Sequence, residues 1–217
     1  MAATPLTPLI RGEHDQLPLT RGTRSEQASF EGGLQPGSHW GLIQLFTGDG
    51  KGKTCAALGV VLRACAIGKR VAIVAFDKGG ETHYSERTVI RERLPDVELF
   101  VTGRDRIDPA TVAFDFGVTD QDRLEGERAL AVVRRLFSDA KHDLIVLDEI
   151  NSSTALGIIK EQDVLSLLDQ KPLAVELILT GRNAPPSFLE RADLVTEMKK
   201  VKHYFDRGCA ARQGLDF

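Results

Sequence analysis

The feature that most constrains this chain is the glycine- and lysine-rich string Thr-Gly-Asp-Gly-Lys-Gly-Lys-Thr at residues 47–54. It follows a short apolar run at 41–47 and opens a helical stretch at 53–67. Glycines there let backbone N–H groups point inward at an anion, and the start of a helix adds unpaired donors and partial positive charge. The string therefore predicts a phosphate-binding loop, with Lys53 on phosphate oxygens and the Thr54 hydroxyl on a metal ion. A plain turn is the alternative, but it would not require three glycines and two lysines.

The loop departs from the usual G-x-x-x-x-G-K-[ST] pattern at one position, because Thr47 stands where the first glycine is expected. We assign nucleotide binding to the rest of the loop and to the residue that follows it, although Cys55 could equally pack as a small helix residue. The predicted binding residues in this stretch are Gly48, Asp49, Gly50, Lys51, Gly52, Lys53, Thr54 and Cys55.

A second motif supplies the acids that such a loop requires. Four apolar residues end in Asp148 and Glu149, at the expected carboxyl end of a strand, the edge where open α/β sheets bind ligands. Asp148 is predicted to hold a metal ion through water, and Glu149 to act on water or on a ligand in the metal's outer coordination shell. The two motifs together predict a nucleoside triphosphate with Mg²⁺ (or Mn²⁺). Kinases, ATPases and GTPases share them, so they leave the reaction open.

The pattern beyond the loop predicts a doubly wound α/β fold of the P-loop (RecA-like) type, with a mostly parallel sheet and helices on both faces. Strand-length apolar runs alternate with helical stretches, which is typical of parallel strands covered on both sides. The runs lie at 41–47, 70–76, 97–101, 143–148, 174–180 and 194–198, and the clearest helix at 119–140. Residues 1–40 hold four of the nine prolines and no sustained apolar period. They are predicted to form an irregular N-terminal arm before a catalytic domain at 41–217.

Composition narrows the range of partners and compartments. The net charge of −3 offers no basic excess for nucleic-acid binding, and no apolar run approaches the roughly 18 residues of a membrane span. The first residues do not have the pattern of a secretory signal, and three dispersed cysteines do not suggest a disulfide framework. We therefore expect a cytoplasmic protein that binds neither nucleic acid nor a membrane.

Taken together, the motifs resemble those of the P-loop-type corrinoid adenosyltransferases, which act on cob(I)yrinic acid a,c-diamide or cob(I)alamin. A phosphate loop that begins with threonine is that family's own form. The resemblance covers about residues 41–217. It rests on five motifs: TGDGKGKT at 47–54, LDEIN at 147–151, LTGRNAP at 179–185, ADLVTEM at 192–198 and the ending at 201–217.

The resemblance implies that ATP binds on the loop and that the cobalt(I) of a reduced corrinoid attacks its 5′ carbon, so that triphosphate leaves. It implies a catalytic role for Lys53 in stabilising the leaving group. It also implies a flavin-type or other reductase as electron source and a homodimer. Three further residues in matched segments are expected to bind the substrates: Lys78, Asn151 and Arg182. A loop cap is the alternative for Asn151, and a surface position for Arg182.

An aromatic pair carries the corrinoid part of the resemblance. In the family a Phe-x-Trp pair packs beside the corrin and helps to detach its lower ligand. This chain has Phe114 and Phe116 there, so an apolar wedge is kept while the indole is lost. Both are expected to be catalytic, and the change affects corrinoid specificity; without the resemblance they would be taken for core residues.

Asp77 stands where the family is usually apolar, and the sequence does not explain it.

Two other functions remain open at this stage. The first is a P-loop ATPase or small-molecule kinase, which would release ADP rather than triphosphate. The second is a non-catalytic carrier that binds ATP and corrinoid without turnover.

Overall fold

The computed structural model describes residues 41–81, 83–106, 115 and 117–216, and every structural statement below concerns those residues. Six strands form one sheet in the order β3-β2-β4-β5-β1-β6, and every neighbouring pair is parallel. The predicted doubly wound α/β fold is confirmed. The strands are β1 (Ile43–Thr47), β2 (Val71–Ala75), β3 (Val97–Val101), β4 (Leu144–Asp148), β5 (Glu176–Thr180) and β6 (Leu194–Glu197).

Helices connect the strands, as parallel neighbours require. They are α1 (Lys53–Cys65), α2 (Glu86–Arg93), α3 (Asp120–Asp139), α4 (Ile150–Ala155), α5 (Glu161–Asp169) and α6 (Pro186–Arg191), followed by a 3₁₀ turn at Tyr204–Arg207. The predicted strands and the two predicted helices agree with these bounds to within two residues. No described helix is long and apolar enough to cross a membrane.

Both faces of the sheet are covered by apolar packing, which is why the strands read as continuous apolar runs. On one face α1 and α2 pack through Ala57, Val61 and Ile90. On the other face α3, α5 and α6 pack the larger core, with Leu130 and Phe188 among its buried side chains. Strands β2, β4 and β5 are buried along their whole length.

Strand order decides which side chains meet at the carboxyl edge of the sheet. Strand β5 lies between β1, which leads into the phosphate loop, and β4, which ends in Asp148. The last residue of β5, Thr180, therefore stands between the loop and the acid. The predicted arm at 1–40 lies outside the described residues, so the division into arm and domain stays a prediction.

Candidate nucleotide-binding site

The phosphate loop has the backbone geometry that its glycines suggested. Gly48 and Gly52 have φ of +97° and +121°, a region that favours glycine. Gly50 is required for a different reason, because a Cβ there would lie 2.6 Å from the carbonyl oxygen of Met198. The amide of Gly50 donates to that same oxygen at 2.6 Å. The chain after β6 therefore packs directly on the loop.

Lys53 begins α1 and is buried, with 7% of the residue exposed. Its Nζ donates to the carbonyl oxygens of Gly48 and Gly50, both at 2.8 Å, so the ammonium lies inside the loop. Burial lowers the pKa of Lys53, and the charge of Glu149 opposes that shift. This is the position predicted for a lysine that contacts phosphate.

The two predicted metal ligands meet at the same edge. Thr54 Oγ1 donates to Asp148 Oδ1 at 3.0 Å, and Thr180 Oγ1 donates to the same oxygen at 2.6 Å. Asp148 is 4% exposed and Thr180 is fully buried. Their adjacency joins the loop, the strand that carries the acid and the strand between them.

Lys78 supplies the cation that stabilises this buried carboxylate. Its Nζ lies 2.5 Å from Asp148 Oδ2, 3.3 Å from Thr54 Oγ1 and 3.9 Å from Glu149 Oε1. Burial by itself would lower the pKa of Lys78, but the charges of Asp148 and Glu149 outweigh it and raise that pKa. For Asp148 burial acts to raise the pKa, and Lys78 with the two threonine hydroxyls lowers it. The site thus holds a charged pair.

Glu149 turns the chain from β4 into α4 with a left-handed backbone, φ +65°. Its amide donates to Thr180 Oγ1 at 3.0 Å, and Ser152 Oγ donates to its Oε2 at 2.5 Å. Glu149 and Arg182 both line the cleft described below, and the Arg182 amide donates to Ser152 Oγ at 2.9 Å. Both residues therefore lie at the cleft, and their predicted contacts with ATP stay predictions.

Asn151 lies beneath the site rather than in it. It is fully buried, and its Nδ2 donates to the carbonyl oxygens of Phe46 and Gly181, both at 3.4 Å. Its Oδ1 is buried and has no hydrogen-bond partner among the residues that the structure describes. The contacts support a role in holding β1 and β5 together, and a contact with ATP stays a prediction.

The remaining loop side chains point toward the chain that follows β6. Lys51 Nζ donates to Tyr204 Oη at 3.1 Å and to the carbonyl oxygen of Leu215 at 2.6 Å. Asp49 Oδ1 accepts a hydrogen bond from the Lys200 amide at 2.9 Å. Cys55 is exposed at the edge of the cleft. Lys51 therefore links the phosphate loop to the chain that follows β6, and its predicted contact with triphosphate stays a prediction.

Loop residues 50–55, Lys78, Glu149 and Arg182 line one cleft of about 670 Å³, a volume typical of ligand sites. The loop forms its floor, and the region around Tyr84 and the C-terminal residues form its walls. Beyond the predicted residues it is lined by Leu58, His83, Tyr84, Ser85, Glu86, Val89, His203, Tyr204, Phe205, Ala211, Gly214, Leu215 and Asp216.

The sequence did not predict the contact of Thr180 with Asp148 or that of Tyr84 with Arg87. Thr180 lies in the matched string at 179–185, so the sequence offers a signal for it. Its position beside Asp148, however, depends on the strand order. Tyr84 stacks on Arg87, with the guanidinium carbon 3.7 Å from the ring centroid, and no spacing rule predicts that contact. Phe114 and Phe116 lie outside the described residues, so their predicted catalytic role stays a prediction.

Asp77, unexplained by sequence, has a clear structural partner. Its carboxylate accepts from Arg106 Nε at 2.7 Å, and Arg106 also lies 3.2 Å from Asp122 at the start of α3. The Arg106 side chain is 3% exposed. The φ of Asp77 is +50°, a region that aspartate tolerates better than apolar residues do. The pair fixes the loop that carries Lys78.

A parallel α/β sheet, a phosphate loop and a buried acid beside the loop threonine define a P-loop nucleotide-binding protein. The family model described as "ATP:corrinoid adenosyltransferase BtuR/CobO/CobP" matches residues 39–217. The chain therefore belongs to the ATP:corrinoid adenosyltransferase family, as the sequence motifs had indicated.

Three relatives share that name at similar levels of identity. Corrinoid adenosyltransferase of Sinorhizobium sp is 36% identical over 182 residues, covering 82% of this chain and 80% of the relative. Corrinoid adenosyltransferase CobA of Salmonella typhimurium is 34% identical over 181 residues, covering 82% and 86%. Corrinoid adenosyltransferase of Escherichia coli K12 is 32% identical over 177 residues, also covering 82% and 86%.

Proposed function

We propose that this protein binds ATP on the 47–54 loop and transfers its 5′-deoxyadenosyl group to the cobalt(I) of a reduced corrinoid. A cobalt–carbon bond forms, the bond between C5′ and the α-phosphate oxygen breaks, and triphosphate leaves with that electron pair. The observation that carries the proposal is the meeting of Lys53, Thr54 and Asp148 at one sheet edge. Membership of the adenosyltransferase family supports this reaction over the others that use such a loop.

The chain's own groups are suited to stabilising the departing triphosphate. Among the described residues, Lys53 Nζ donates to two neutral carbonyls of the loop, and a phosphate oxygen attracts the ammonium more strongly because it carries negative charge. The amides of the loop and the guanidinium of Arg182 lie at the same cleft. Because cobalt(I) is itself a strong nucleophile, the protein needs no base, and its task is to orient ATP and exclude water.

The residues at this edge fit a divalent metal. Thr54 and Asp148 present only oxygen donors, within 3.0 Å of each other, and Mg²⁺ takes such ligands together with phosphate oxygens and water. The described residues contain no group of three or more His, Cys, Asp or Glu side chains that could form a separate metal centre. Mg²⁺ (or Mn²⁺), held by Thr54 and Asp148, would neutralise charge on the phosphates.

The finer properties rest on the family resemblance. We infer that Phe114 and Phe116 pack beside the corrin and that the Phe116 substitution tunes which corrinoid is accepted. We also infer a cytoplasmic homodimer that receives electrons from a separate flavin-type or other reductase and binds no nucleic acid.

Product analysis tests the proposal directly. The protein is incubated anaerobically with ATP, Mg²⁺ and chemically reduced cobalamin, the cobalt spectrum is followed, and phosphate products are separated. We expect adenosylcobalamin and intact triphosphate in equal amounts. Lys53→Ala should abolish both, while Lys141→Ala, which removes an exposed lysine at the opposite end of β4, should leave them unchanged. ADP as product would point to a kinase or ATPase, and tight binding of both substrates without turnover would point to a carrier.

A further inference from the structure

The chain after β6 returns to the phosphate loop and lies against it. We call residues 199–216 the C-terminal strap. It is tied to the loop at two places: the Lys200 amide donates to Asp49 Oδ1 at 2.9 Å, and Lys51 Nζ donates to the carbonyl oxygen of Leu215 at 2.6 Å. Lys51 also forms an ion pair with Asp216, a residue 165 positions away in the chain. The strap is therefore held by the loop's own side chains.

Asp216 is the centre of this contact. Besides Lys51, its carboxylate accepts from Tyr204 Oη and from both the amide and Nε of Arg212, the latter two at 3.0 Å. Its side chain is 9% exposed, in contrast to the 39% of Lys51. A carboxylate with this many donors fixes the fold of the strap and, through Lys51, its position on the loop.

The strap forms one wall of the nucleotide cleft. His203, Tyr204, Phe205 and Leu215 line it together with the loop. Aromatic and aliphatic side chains beside a phosphate site provide the surface on which the remainder of a nucleotide packs. Anything that loosens the strap therefore changes the shape of the ATP site without removing a phosphate contact.

We propose that Lys51 and Asp216 form a positioning pair that fastens the C-terminal strap and thereby shapes the wall that contacts ATP. Lys51 would then hold the strap in position, whereas its place in the loop motif suggested a contact with triphosphate. The inference rests on the proposed function in taking ATP as the occupant of the cleft. It predicts that the lysine and the aspartate act as one unit.

A double-mutant cycle tests this coupling. Lys51→Met, Asp216→Asn and the double variant are compared by steady-state kinetics with ATP as the varied substrate. Each single change should raise KM for ATP roughly three- to tenfold, with kcat within about twofold, because a partly exposed pair is modest in strength. The double variant should be no more than about twofold worse than the worse single variant. The matched control is Asp206→Asn, which breaks a pair with Lys200 inside the strap and should leave KM within about twofold.

Limited trypsin digestion gives a second readout that needs no turnover. Arg207 and Arg212 are exposed in the strap, and cleavage after each can be followed by mass spectrometry. Lys51→Met and Asp216→Asn should both cleave there several-fold faster than the unmodified protein and the Asp206→Asn control. Circular dichroism confirms that each variant is folded. If the unmodified protein forms no adenosylated corrinoid, the proposed function fails. The digestion still tests whether Lys51 and Asp216 hold the strap in place, because it does not depend on turnover.

The opposite pattern would overturn the proposal. If Lys51 binds triphosphate directly, Asp216→Asn removes a competing negative charge and leaves KM for ATP unchanged or lower. Lys51→Met then raises KM alone, the two effects add, and cleavage after Arg207 and Arg212 keeps the rate of the unmodified protein.

Discussion

Replacing Lys78 by methionine is expected to destabilise the protein, because it leaves the buried carboxylate of Asp148 without a cation. The two side chains are 15% and 6% exposed and their charged atoms are 2.5 Å apart. Removal of one partner from a buried ion pair costs about 3–5 kcal/mol. Since Thr54 and Thr180 still donate to Asp148, we expect a loss at the lower end, about 3 kcal/mol. Methionine keeps the length of the stem, so the loss reports the charge rather than a cavity.

Thermal unfolding measures this loss. In a chain of this size 1 kcal/mol corresponds to about 2–4 °C in Tm, so Lys78→Met should lower Tm by about 6–12 °C. The matched control is Lys69→Met, which breaks a pair with Asp143 in which both side chains are 32% exposed. That pair is worth at most about 1 kcal/mol, or no more than about 4 °C. Equal small shifts for the two variants would refute the reasoning.

The double variant Lys78→Met/Asp148→Asn separates charge from packing. If the cost lies in an unpaired buried charge, neutralising Asp148 as well should recover most of the lost stability. A double variant whose loss equals the sum of the two single losses would mean that the side chains do not interact energetically, contrary to their geometry.

Three further predictions concern the same edge of the sheet and its support. Thr180→Val should lower the free energy of unfolding, measured with urea, by about 1.5–3 kcal/mol, because it removes a hydroxyl that donates to the Asp148 carboxylate. A decrease below about 0.5 kcal/mol would contradict this. Asp77→Asn keeps the left-handed backbone but removes the charge facing Arg106, and should cost about 1–3 kcal/mol by the same measurement, with an unchanged midpoint as the contrary result. The pKa of Asp148 is lower in the folded state than in the unfolded state. The stability that Asp148 confers is therefore present above its unfolded pKa of about 4 and is lost as the pH falls below that value. Asp148→Asn should accordingly make Tm depend less steeply on pH at the acidic end of a Tm–pH profile.

The fold could be predicted because it is encoded locally. Continuous apolar runs at 70–76, 143–148 and 174–180 are long enough for strands and too short for buried helices, and the helices between them require parallel pairing. The loop and the acid could be predicted for the same reason, since Lys53 begins the helix after a glycine-rich loop and Asp148 ends an apolar strand.

Strand order and long-range contacts could not be predicted this way. Thr180 stands between the loop and Asp148 only because β5 is inserted between β1 and β4, and nothing local to the sequence fixes that order. The partner of Asp77 is 29 residues away, and that of Lys51 is 165 residues away. For Lys51 the motif predicts a phosphate ligand, and its ion pair with Asp216 has no local signal in the sequence.

The three lysines of this site differ in what a triphosphate must displace. Lys78 and Lys51 are paired with the carboxylates of Asp148 and Asp216, whereas Lys53 is held by two carbonyl oxygens. At the same distance an ammonium is attracted more strongly by the full negative charge of a carboxylate than by the dipole of a neutral carbonyl. A phosphate oxygen therefore gains most by taking Lys53 and least by breaking the two ion pairs. We therefore expect Lys53 to be the lysine most readily taken by a triphosphate, while Lys78 and Lys51 keep their pairs with Asp148 and Asp216.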